Sequence, residues 1–282
     1  MIETKHLDNG FTYLDVNTQH AHLKVALQGA HVFYYKPHEK KEILWLSQES
    51  FFEKGVAIRG GVPICWPWFG KHESDENAPQ HGFARTTLWE FLSTDENDPD
   101  KTIITLVLKH DNDTLKIWPH KFRLTLEITI TETLTISLNT YNDDKQSFTI
   151  TQALHTYFQV NDINSVTIKG LEGVAYIDQL DYNQNKSSNS PIIISQEVDR
   201  VYKNSNNSCV LQDTFREILI TTEGSSSTVV WNPWIEKEKR MKDFHNNGYK
   251  EMVCIETANA LSEKVTIKKA QSHTITQVIS FK

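Results

Sequence analysis

Hydrophobic and polar residues alternate with a period of two along most of the chain. In the stretch FRLTLEITITETLTISLNTY, Leu124, Leu126, Ile128 and Ile130 alternate with polar residues, and the alternation resumes at Leu134. Successive side chains of a β-strand point to opposite faces, so this pattern predicts a hairpin with one buried face. Many short strands separated by turns are typical of an all-β sandwich or barrel with antiparallel pairings. Similar runs occur at residues 102–109, 147–154, 165–170, 217–222, 227–231, 264–270 and 273–281.

Helical and loop segments are few. Asn232 can cap a helix that has Pro233 in its first turn and IEKEKRMKDF as its body, ending before Asn246. The stretch DYNQNKSSNSP, residues 181–191, is polar and rich in turn formers, which predicts a long surface loop. No break in composition and no repeat of about 20 to 50 residues divides the chain. We therefore expect residues 1–282 to form one domain.

The net charge and the cysteine spacing exclude some classes of function. The formal charge of -7, without a dense Lys/Arg run, argues against nucleic acid or an anionic membrane as the main partner. A small anionic ligand is still compatible with this net charge, because it needs only a few cationic side chains at its site. The start of the chain has no signal-peptide pattern, and no apolar run reaches about 18 residues, so we expect a cytoplasmic protein. Cys65, Cys209 and Cys254 form no CxxC pair, and we interpret them as small buried hydrophobic residues.

The most unusual stretch is IRGGVPICWPWFG, residues 58–70, which crowds aromatic rings beside an arginine. A buried turn explains Trp66, Trp68 and the glycines, because aromatic rings can close the end of a core. It does not explain Arg59, whose guanidinium is always ionised and must reach solvent or meet an anion. The stretch PQHGFARTTLWE, residues 79–90, adds Gln80, His81 and Arg85 on one short segment. These residues suit either a polar ligand with an anionic group or a solvated loop.

Two further segments carry candidate acid and base residues. In ALHTYFQV, continued alternation places His155 on the face opposite Leu154, either as a hydrogen-bonded structural residue or as a proton donor. In MVCIETAN, Glu256 ends a predicted strand beside apolar neighbours. Partial burial would raise the pKa of this carboxyl and make it a stronger base. A capping or salt-bridging role is the alternative for Glu256.

Three remaining signals are weaker. Asp199 in VDRVY can accept hydrogen bonds from vicinal hydroxyls, with Arg200 or Tyr202 framing it, although an acidic residue at a strand end is usually only surface. His20 and His22 form an HxH pair, but the spacing lacks the additional ligands of a cupin-type metal site. No phosphate-binding glycine loop and no G-x-S-x-G sequence occurs. We therefore predict no cofactor and no metal.

Six ordered motifs together resemble the glucose-6-phosphate 1-epimerase branch of the aldose 1-epimerase family: IRGGVPICWPWFG, PQHGFARTTLWE, ALHTYFQV, VDRVY, WNPW and CIETAN. The resemblance extends from about residue 57 to residue 260. It implies an antiparallel β-supersandwich of the galactose mutarotase-like type with a few short helices. This agrees with the period-two pattern.

The resemblance also implies site residues and a reaction. His155 matches the general acid of the family and Glu256 its general base. The substrate-binding positions match Arg59, Gln80, His81, Arg85 and Asp199. The implied activity is interconversion of the α and β anomers of glucose 6-phosphate and related hexose 6-phosphates, by ring opening and reclosure. We expect a small hexose phosphate as the partner, and a monomer or weak oligomer.

Three alternatives remain open from the sequence. A non-catalytic carbohydrate-binding or metabolite-sensing module on the same sandwich would not need the pair His155 and Glu256. A cupin-like, metal-dependent sugar-phosphate isomerase would use His20 and His22. A galactose mutarotase acting on free sugars would leave Arg59 and Arg85 paired with acids of the protein.

Overall fold

The computed structural model describes residues 1–203, 208–214 and 216–281, and in these ranges antiparallel β-sheet predominates. The largest sheet has nine strands, in which hydrophobic residues face the core and polar residues face outward. Its order is β16-β13-β18-β19-β23-β9-β8-β7-β6. The strands are β6 (Glu90–Asp95), β7 (Thr102–Lys109), β8 (Phe122–Ile130), β9 (Leu134–Asn142), β13 (Thr167–Lys169), β16 (Ile192–Ile193), β18 (Cys209–Asp213), β19 (Arg216–Glu223) and β23 (Ser272–Phe281).

The predicted hairpin is confirmed by this sheet. β8 pairs with β9 in register from Phe122 opposite Asn142 to Ile130 opposite Leu134. Along β8 and β9, buried positions recur at every second residue, as the alternation predicts. The runs at 102–109, 217–222 and 273–281 also correspond to strands of this sheet.

The second large sheet has eight strands and carries the predicted site residues Asp199 and Glu256. Its order is β15-β14-β17-β20-β21-β11-β5, with β12 also paired to β21. β20 and β21 are buried along their whole length, so both faces of these strands are covered. The strands are β5 (Ile64–Cys65), β11 (Gln152–Leu154), β12 (Tyr157–Gln159), β14 (Tyr176–Asp178), β15 (Gln184–Lys186), β17 (Val198–Lys203), β20 (Ser227–Asn232) and β21 (Met252–Asn259).

Two smaller sheets complete the described β-structure. The four-stranded sheet contains β1 (Ile2–His6), β2 (Thr12–Asn17), β3 (Ala21–Ala26) and β4 (His31–Pro37), and the two-stranded sheet pairs β10 (Phe148–Ile150) with β22 (Val265–Ile267). The largest cluster of buried hydrophobic residues includes Leu14, Leu138 and Phe158, which belong to three different sheets. One continuous core therefore joins these sheets. The single-domain interpretation stays a prediction.

The helices differ in part from the sequence prediction. The α-helix predicted over 235–244 is only one turn, α2 (Trp234–Glu238), and Pro233 precedes it at the cap instead of lying inside it. The Asn232 side chain does accept a hydrogen bond from the Trp234 backbone N–H, as expected of a capping residue. A second helix, α1 (Asn112–Ile117), was not predicted, and Asp111 begins it with a capping box.

The segment 181–191 is not entirely a loop, because β15 lies inside it and pairs with β14. Its polar composition fits this position, since the side chains of β15 are exposed or half-buried at the edge of the sheet. Short 3₁₀ turns occur at Ala84–Thr86, Ile163–Ser165 and Gly248–Glu251. No helix among the described residues combines the length and the apolar character that crossing a membrane requires.

Candidate active site

A cleft of about 900 Å³ opens at one face of the eight-stranded sheet. Its lining comes from β17, β20, β21, the connection between β11 and β12, and irregular segments. The structure brings all seven predicted site residues to this one cleft: Arg59, Gln80, His81, Arg85, His155, Asp199 and Glu256.

The two unusual aromatic and polar motifs are adjacent in space. A bridge joins Trp66 to Gly82, and the backbone N–H groups of Phe83 and Ala84 donate to the Trp66 carbonyl. Gly82 has a positive φ of 73°, and a Cβ there would lie 1.9 Å from the Trp66 carbonyl oxygen. A larger residue would therefore separate the segments that carry Arg59 and Arg85.

Arg59 finds its anion within the protein. Its Nη2 lies 3.0 Å from Asp243 Oδ2, its Nε donates to the same oxygen, and its Nη1 donates to the Tyr157 hydroxyl at 2.8 Å. The carboxylate and the phenol fix the guanidinium at the cleft wall. Asp243 was not predicted, because 184 residues separate it from Arg59 along the chain.

The second arginine is held differently. Arg85 lies in a 3₁₀ turn, and its Nη2 donates to the backbone carbonyl of Gln80 at 2.8 Å. Among the described residues, no carboxylate lies within ion-pair distance of Arg85. This guanidinium therefore keeps donors available for an anionic ligand. Gln80 itself is exposed at the cleft mouth.

His81 is oriented by a backbone contact. Its Nδ1 accepts a hydrogen bond from the Gly70 N–H at 3.1 Å. In a neutral imidazole this leaves the hydrogen on Nε2, which makes that nitrogen the donor. Burial, together with Arg85, lowers the pKa of His81 well below its usual value. His81 is therefore a neutral donor packed edge-on against His155.

His155 and Glu256 meet at the buried end of the cleft, with His155 Nε2 3.3 Å from Glu256 Oε1. His155 lies between β11 and β12 and lines the cleft, while the neighbouring Leu154 belongs to the buried core, which agrees with the predicted facing. The backbone N–H of His155 donates to the Pro63 carbonyl. Glu256 lies within β21 instead of at a strand end, opposite Val229 of β20.

Burial shifts the pKa values of this pair in opposite directions. Loss of solvent, followed by the positive charges of Arg85 and Arg59, lowers the pKa of His155 to about 3. Loss of solvent, followed by the Asp199 charge, raises the pKa of Glu256 well above its usual value. Both shifts favour the neutral forms, so burial favours the arrangement in which Glu256 carries the proton and His155 is a neutral imidazole.

Asp199 lies on β17 in the cleft wall. Gln179 donates to its Oδ1 at 2.5 Å, and Lys237 Nζ lies 3.7 Å from its Oδ2. The expectation that Arg200 frames it is wrong, because the Arg200 guanidinium lies over the Tyr176 ring on the neighbouring strand. Burial raises the pKa of Asp199, although Lys237 opposes the shift.

The tryptophans divide into core and cleft residues. Trp66 is fully buried against Trp118 and Phe122, so the buried-turn interpretation holds for this ring. Trp68, Trp118 and Trp231 line the cleft. Trp231 stands edge-on to His155, with ring centroids 6.0 Å apart. Trp68 or Trp231 can present an apolar surface to the C–H face of a sugar.

Sequence reasoning missed three residues that support the site: Tyr157, Lys237 and Asp243. Tyr157 stacks on His155 with ring centroids 5.0 Å apart. Its signal was its position within the ALHTYFQV motif. The local pattern around Lys237 and Asp243 predicts only a charged helix and does not indicate the cleft.

The HxH pair is a structural feature. His22 Nε2 lies 2.5 Å from Asp15 Oδ1, and His20 Nε2 contacts the Asp100 carbonyl. Neither histidine lies with further ligands in a cluster of three or more His, Cys, Asp or Glu donors within the described residues. The interpretation of the cysteines as buried is confirmed, since Cys65, Cys209 and Cys254 are all free and buried.

The fold and the cleft define a sugar epimerase, and the sequence comparison agrees. The profile of the family described as aldose 1-epimerase matches residues 12–280, so this chain belongs to the aldose 1-epimerase family. The predicted family and the predicted class of enzyme, an isomerase, are thereby confirmed.

Particular relatives lie close in sequence. A protein of Escherichia coli (strain K12), provisionally named glucose-6-phosphate 1-epimerase, is 39% identical over 251 residues, which cover 88% of this chain and 83% of the relative. A protein of Cenchrus ciliaris with the same provisional name is 36% identical over 263 residues, covering 88% of this chain and 78% of the relative.

Solved structures share the fold. A Salmonella typhimurium protein, provisionally titled a mutarotase, has a TM-score of 0.93 at 32% identity, covering 99% of this chain and 93% of that chain. A galactose mutarotase related enzyme from Lactobacillus acidophilus has a TM-score of 0.75 at 15% identity, covering 100% and 97%, which shows the fold alone. The predicted galactose mutarotase-like fold class is confirmed.

Proposed function

We propose that this protein interconverts the α and β anomers of glucose 6-phosphate and related hexose 6-phosphates. The observation that carries the proposal is the contact between His155 and Glu256, 3.3 Å apart at the buried end of a cleft that also holds two arginines. The relatives provisionally named glucose-6-phosphate 1-epimerase support the same substrate class.

The reaction needs one proton acceptor and one proton donor close together. The C1 hydroxyl loses a proton while the ring oxygen gains one, and the C1–O5 bond breaks to give the open-chain aldehyde. Both oxygens are bonded to C1, so the two side chains must reach neighbouring atoms. Glu256 accepts the first proton and His155 donates the second. Rotation about C1–C2 then exposes the other face of the carbonyl, and both side chains reverse roles as the ring closes.

The proton balance of the pair fits this cycle. The pair shares one transferable proton and has two arrangements. In the first, Glu256 is a carboxylate and His155 an imidazolium. In the second, Glu256 is a carboxylic acid and His155 a neutral imidazole. The second arrangement is that of the open-chain stage, and it is the one that burial favours. A bound phosphate offsets the positive charges of Arg59 and Arg85, which lower the pKa of His155. A phosphorylated substrate thus favours the imidazolium that donates the proton.

The remaining residues bind and orient the sugar. Arg85 has free donors and is the main phosphate ligand, while Arg59 contributes positive charge from its fixed position beside Asp243. Asp199 accepts hydrogen bonds from sugar hydroxyls, and His81 and Gln80 supply donors. Trp68 or Trp231 packs against the C–H face of the ring. The enzyme needs no resident cofactor for these proton transfers.

Two-dimensional exchange NMR of glucose 6-phosphate tests the proposal directly. Catalytic amounts of enzyme should increase the rate of α-to-β exchange, and glucose and galactose at equal concentration should exchange much more slowly. Equal acceleration of free and phosphorylated sugars would instead indicate a mutarotase of free sugars. A folded protein that accelerates none of them would contradict the proposal and favour the binding-module alternative.

The phosphate assignment has its own test. Arg85→Met should raise KM for glucose 6-phosphate by about tenfold to a hundredfold, because one charge-assisted contact contributes about 1.5–3 kcal/mol. The KM for free glucose should change much less, because free glucose has no phosphate. Arg123→Met, which removes an exposed arginine from β8, is the matched control. A similar loss for both sugars would remove Arg85 from phosphate recognition.

A further inference from the structure

Three different metal-binding side chains converge beneath the cleft. The ligand atoms of His155, Cys254 and Glu256 all lie within 4.8 Å of one another. One nitrogen, one sulfur and one oxygen donor form a set that Zn²⁺ binds readily. The 3.3 Å between His155 Nε2 and Glu256 Oε1 is close to the spacing of two ligands at about 2.0–2.1 Å around a tetrahedral ion.

Strand register explains why the thiol joins the other two groups. Cys254 and Glu256 are two residues apart on β21, so their side chains leave the same face of the sheet. In the neighbouring strands, Cys254 lies opposite Trp231 and Tyr157, which both line the cleft. The thiol is therefore on the face of the sheet that lines the cleft, where the side chains of Trp231 and Tyr157 flank it.

Polar atoms at this point lack partners. Glu256 is 1% exposed, and its Oε2 has no hydrogen-bond partner in the part of the chain that is described. The Glu256 side chain nevertheless lines the cleft, so a small ion can reach it. A buried carboxyl oxygen without a partner is costly, and coordination of a cation, with release of the carboxyl proton, would satisfy it.

We propose that His155, Cys254 and Glu256 form a site for Zn²⁺ and ions of similar character, and that an ion bound there inhibits the enzyme. The ion occupies the nitrogen and oxygen atoms that the proposed reaction uses to move protons, so a bound ion and a productive substrate exclude each other. Only the inhibition rests on the proposed function. The binding itself follows from the donor set.

Binding is measured first with the metal alone. Co²⁺ is added to the protein in a buffer without thiols or phosphate, and absorption is recorded. A thiolate-to-cobalt charge-transfer band should appear in the near ultraviolet, and one equivalent of Zn²⁺ should remove it. Calorimetry with Zn²⁺ alone should give one site. Absence of the thiolate band would overturn the proposal, even in a preparation without epimerase activity.

Variants assign the donor atoms. Cys254→Ser should weaken Zn²⁺ binding by at least about tenfold and should abolish the charge-transfer band. Cys209→Ser is the matched control, since Cys209 is also buried but lies on β18 in the other large sheet. Glu256→Gln removes the carboxylate ligand while keeping the thiol, and it should weaken Zn²⁺ binding by a similar factor. This variant provides the test of the donor atoms if Cys254→Ser does not fold. Unchanged Zn²⁺ affinity in the folded variants would exclude these donors.

Inhibition is then measured by the exchange assay. Zn²⁺ should lower the rate of glucose 6-phosphate exchange, a chelator should restore it, and Mg²⁺ at the same concentration should have no effect. Higher substrate concentration should weaken the inhibition. Cys254→Ser should stay active at Zn²⁺ concentrations that inhibit the unmodified protein. Activation by Zn²⁺, or equal inhibition of both proteins, would overturn the inhibitory role.

Discussion

The two large sheets of this protein have the same antiparallel pairing but different interiors. Along β8 and β9 of the nine-stranded sheet, buried hydrophobic residues alternate with more exposed polar residues. Along β20 and β21 of the eight-stranded sheet every residue is buried, including Glu256. A sheet with one solvent face can separate polar from apolar residues by alternation alone. A sheet covered on both faces must place its polar residues inside.

This difference means that the nine-stranded sheet mainly stabilises the fold, whereas the eight-stranded sheet carries the groups for proton transfer. The eight-stranded sheet buries a carboxyl and packs it against an imidazole, which shifts both pKa values and leaves Glu256 Oε2 without a hydrogen bond. Such an arrangement stabilises the fold poorly and is useful for proton transfer. The nine-stranded sheet contributes packed hydrophobic layers. Substitutions in the two sheets should therefore affect different quantities.

The largest effect is expected for Glu256→Gln. Loss of the general base should lower kcat for glucose 6-phosphate by about a hundredfold to ten-thousandfold. The melting temperature should change little, because the amide has the same shape as the neutral carboxyl. Exchange NMR and thermal unfolding measure the two quantities. Glu127→Gln, on the solvent face of β8, is the control and should change neither. An unchanged kcat in Glu256→Gln would refute the assignment of Glu256.

The reverse result is expected for Leu138→Ala in β9. Leu138 is fully buried, and it lies opposite Leu126 on one side and Ile275 on the other. Its truncation should lower the free energy of unfolding by about 2–5 kcal/mol. The kcat of the folded fraction should stay within about twofold of the unmodified protein. Urea denaturation, with kcat measured in parallel, tests this prediction. A loss of kcat without a loss of unfolding free energy would contradict the assignment of stability to the nine-stranded sheet.

A buried histidine should make the fold sensitive to acid. Burial lowers the pKa of His31 to about 3, and its Nε2 hydrogen-bonds the Gly60 carbonyl. Between pH 6.5 and 3 the unfolded chain binds a proton at this residue that the folded protein does not. The free energy of unfolding should therefore fall with falling pH, by up to about 1.4 kcal/mol per pH unit from this group.

His31→Gln tests that contribution, because its amide can still donate to Gly60. Unfolding free energies at several pH values between 6.5 and 3 should fall less steeply in the variant. His155 and Glu256 titrate in both proteins, so their contributions cancel in the difference. Equal slopes would show that His31 is protonated as readily in the folded protein as in the unfolded chain.

The smallest effect is expected at the cleft mouth. Lys264 forms an ion pair with Glu73, and both side chains line the cleft and are exposed to solvent. Exposed ion pairs contribute about 0–1 kcal/mol. Lys264→Met should therefore change the free energy of unfolding by less than about 1 kcal/mol, as should the control Lys268→Met. Urea denaturation measures both, and a loss above about 2 kcal/mol would show that this pair is structurally important.

Local patterns predicted the nine-stranded sheet most accurately. In β8 and β9 every second residue is buried, so the period of two is visible without knowing the partner strand. The short helix over Trp234–Glu238 was predicted too long, because its charged continuation resembles a solvated helix face. The strand β15 was missed because an edge strand can be wholly polar.

The amino-acid sequence by itself determined the all-β class, the family and the set of candidate residues, since these depend on local alternation and on ordered motifs. Only the tertiary structure decided how these residues act on one another. It paired Arg59 with Asp243, left Arg85 without a carboxylate among the described residues, and placed Cys254 beside His155 and Glu256. Strand register and burial produce these contacts between distant residues, and neither is encoded in a local pattern.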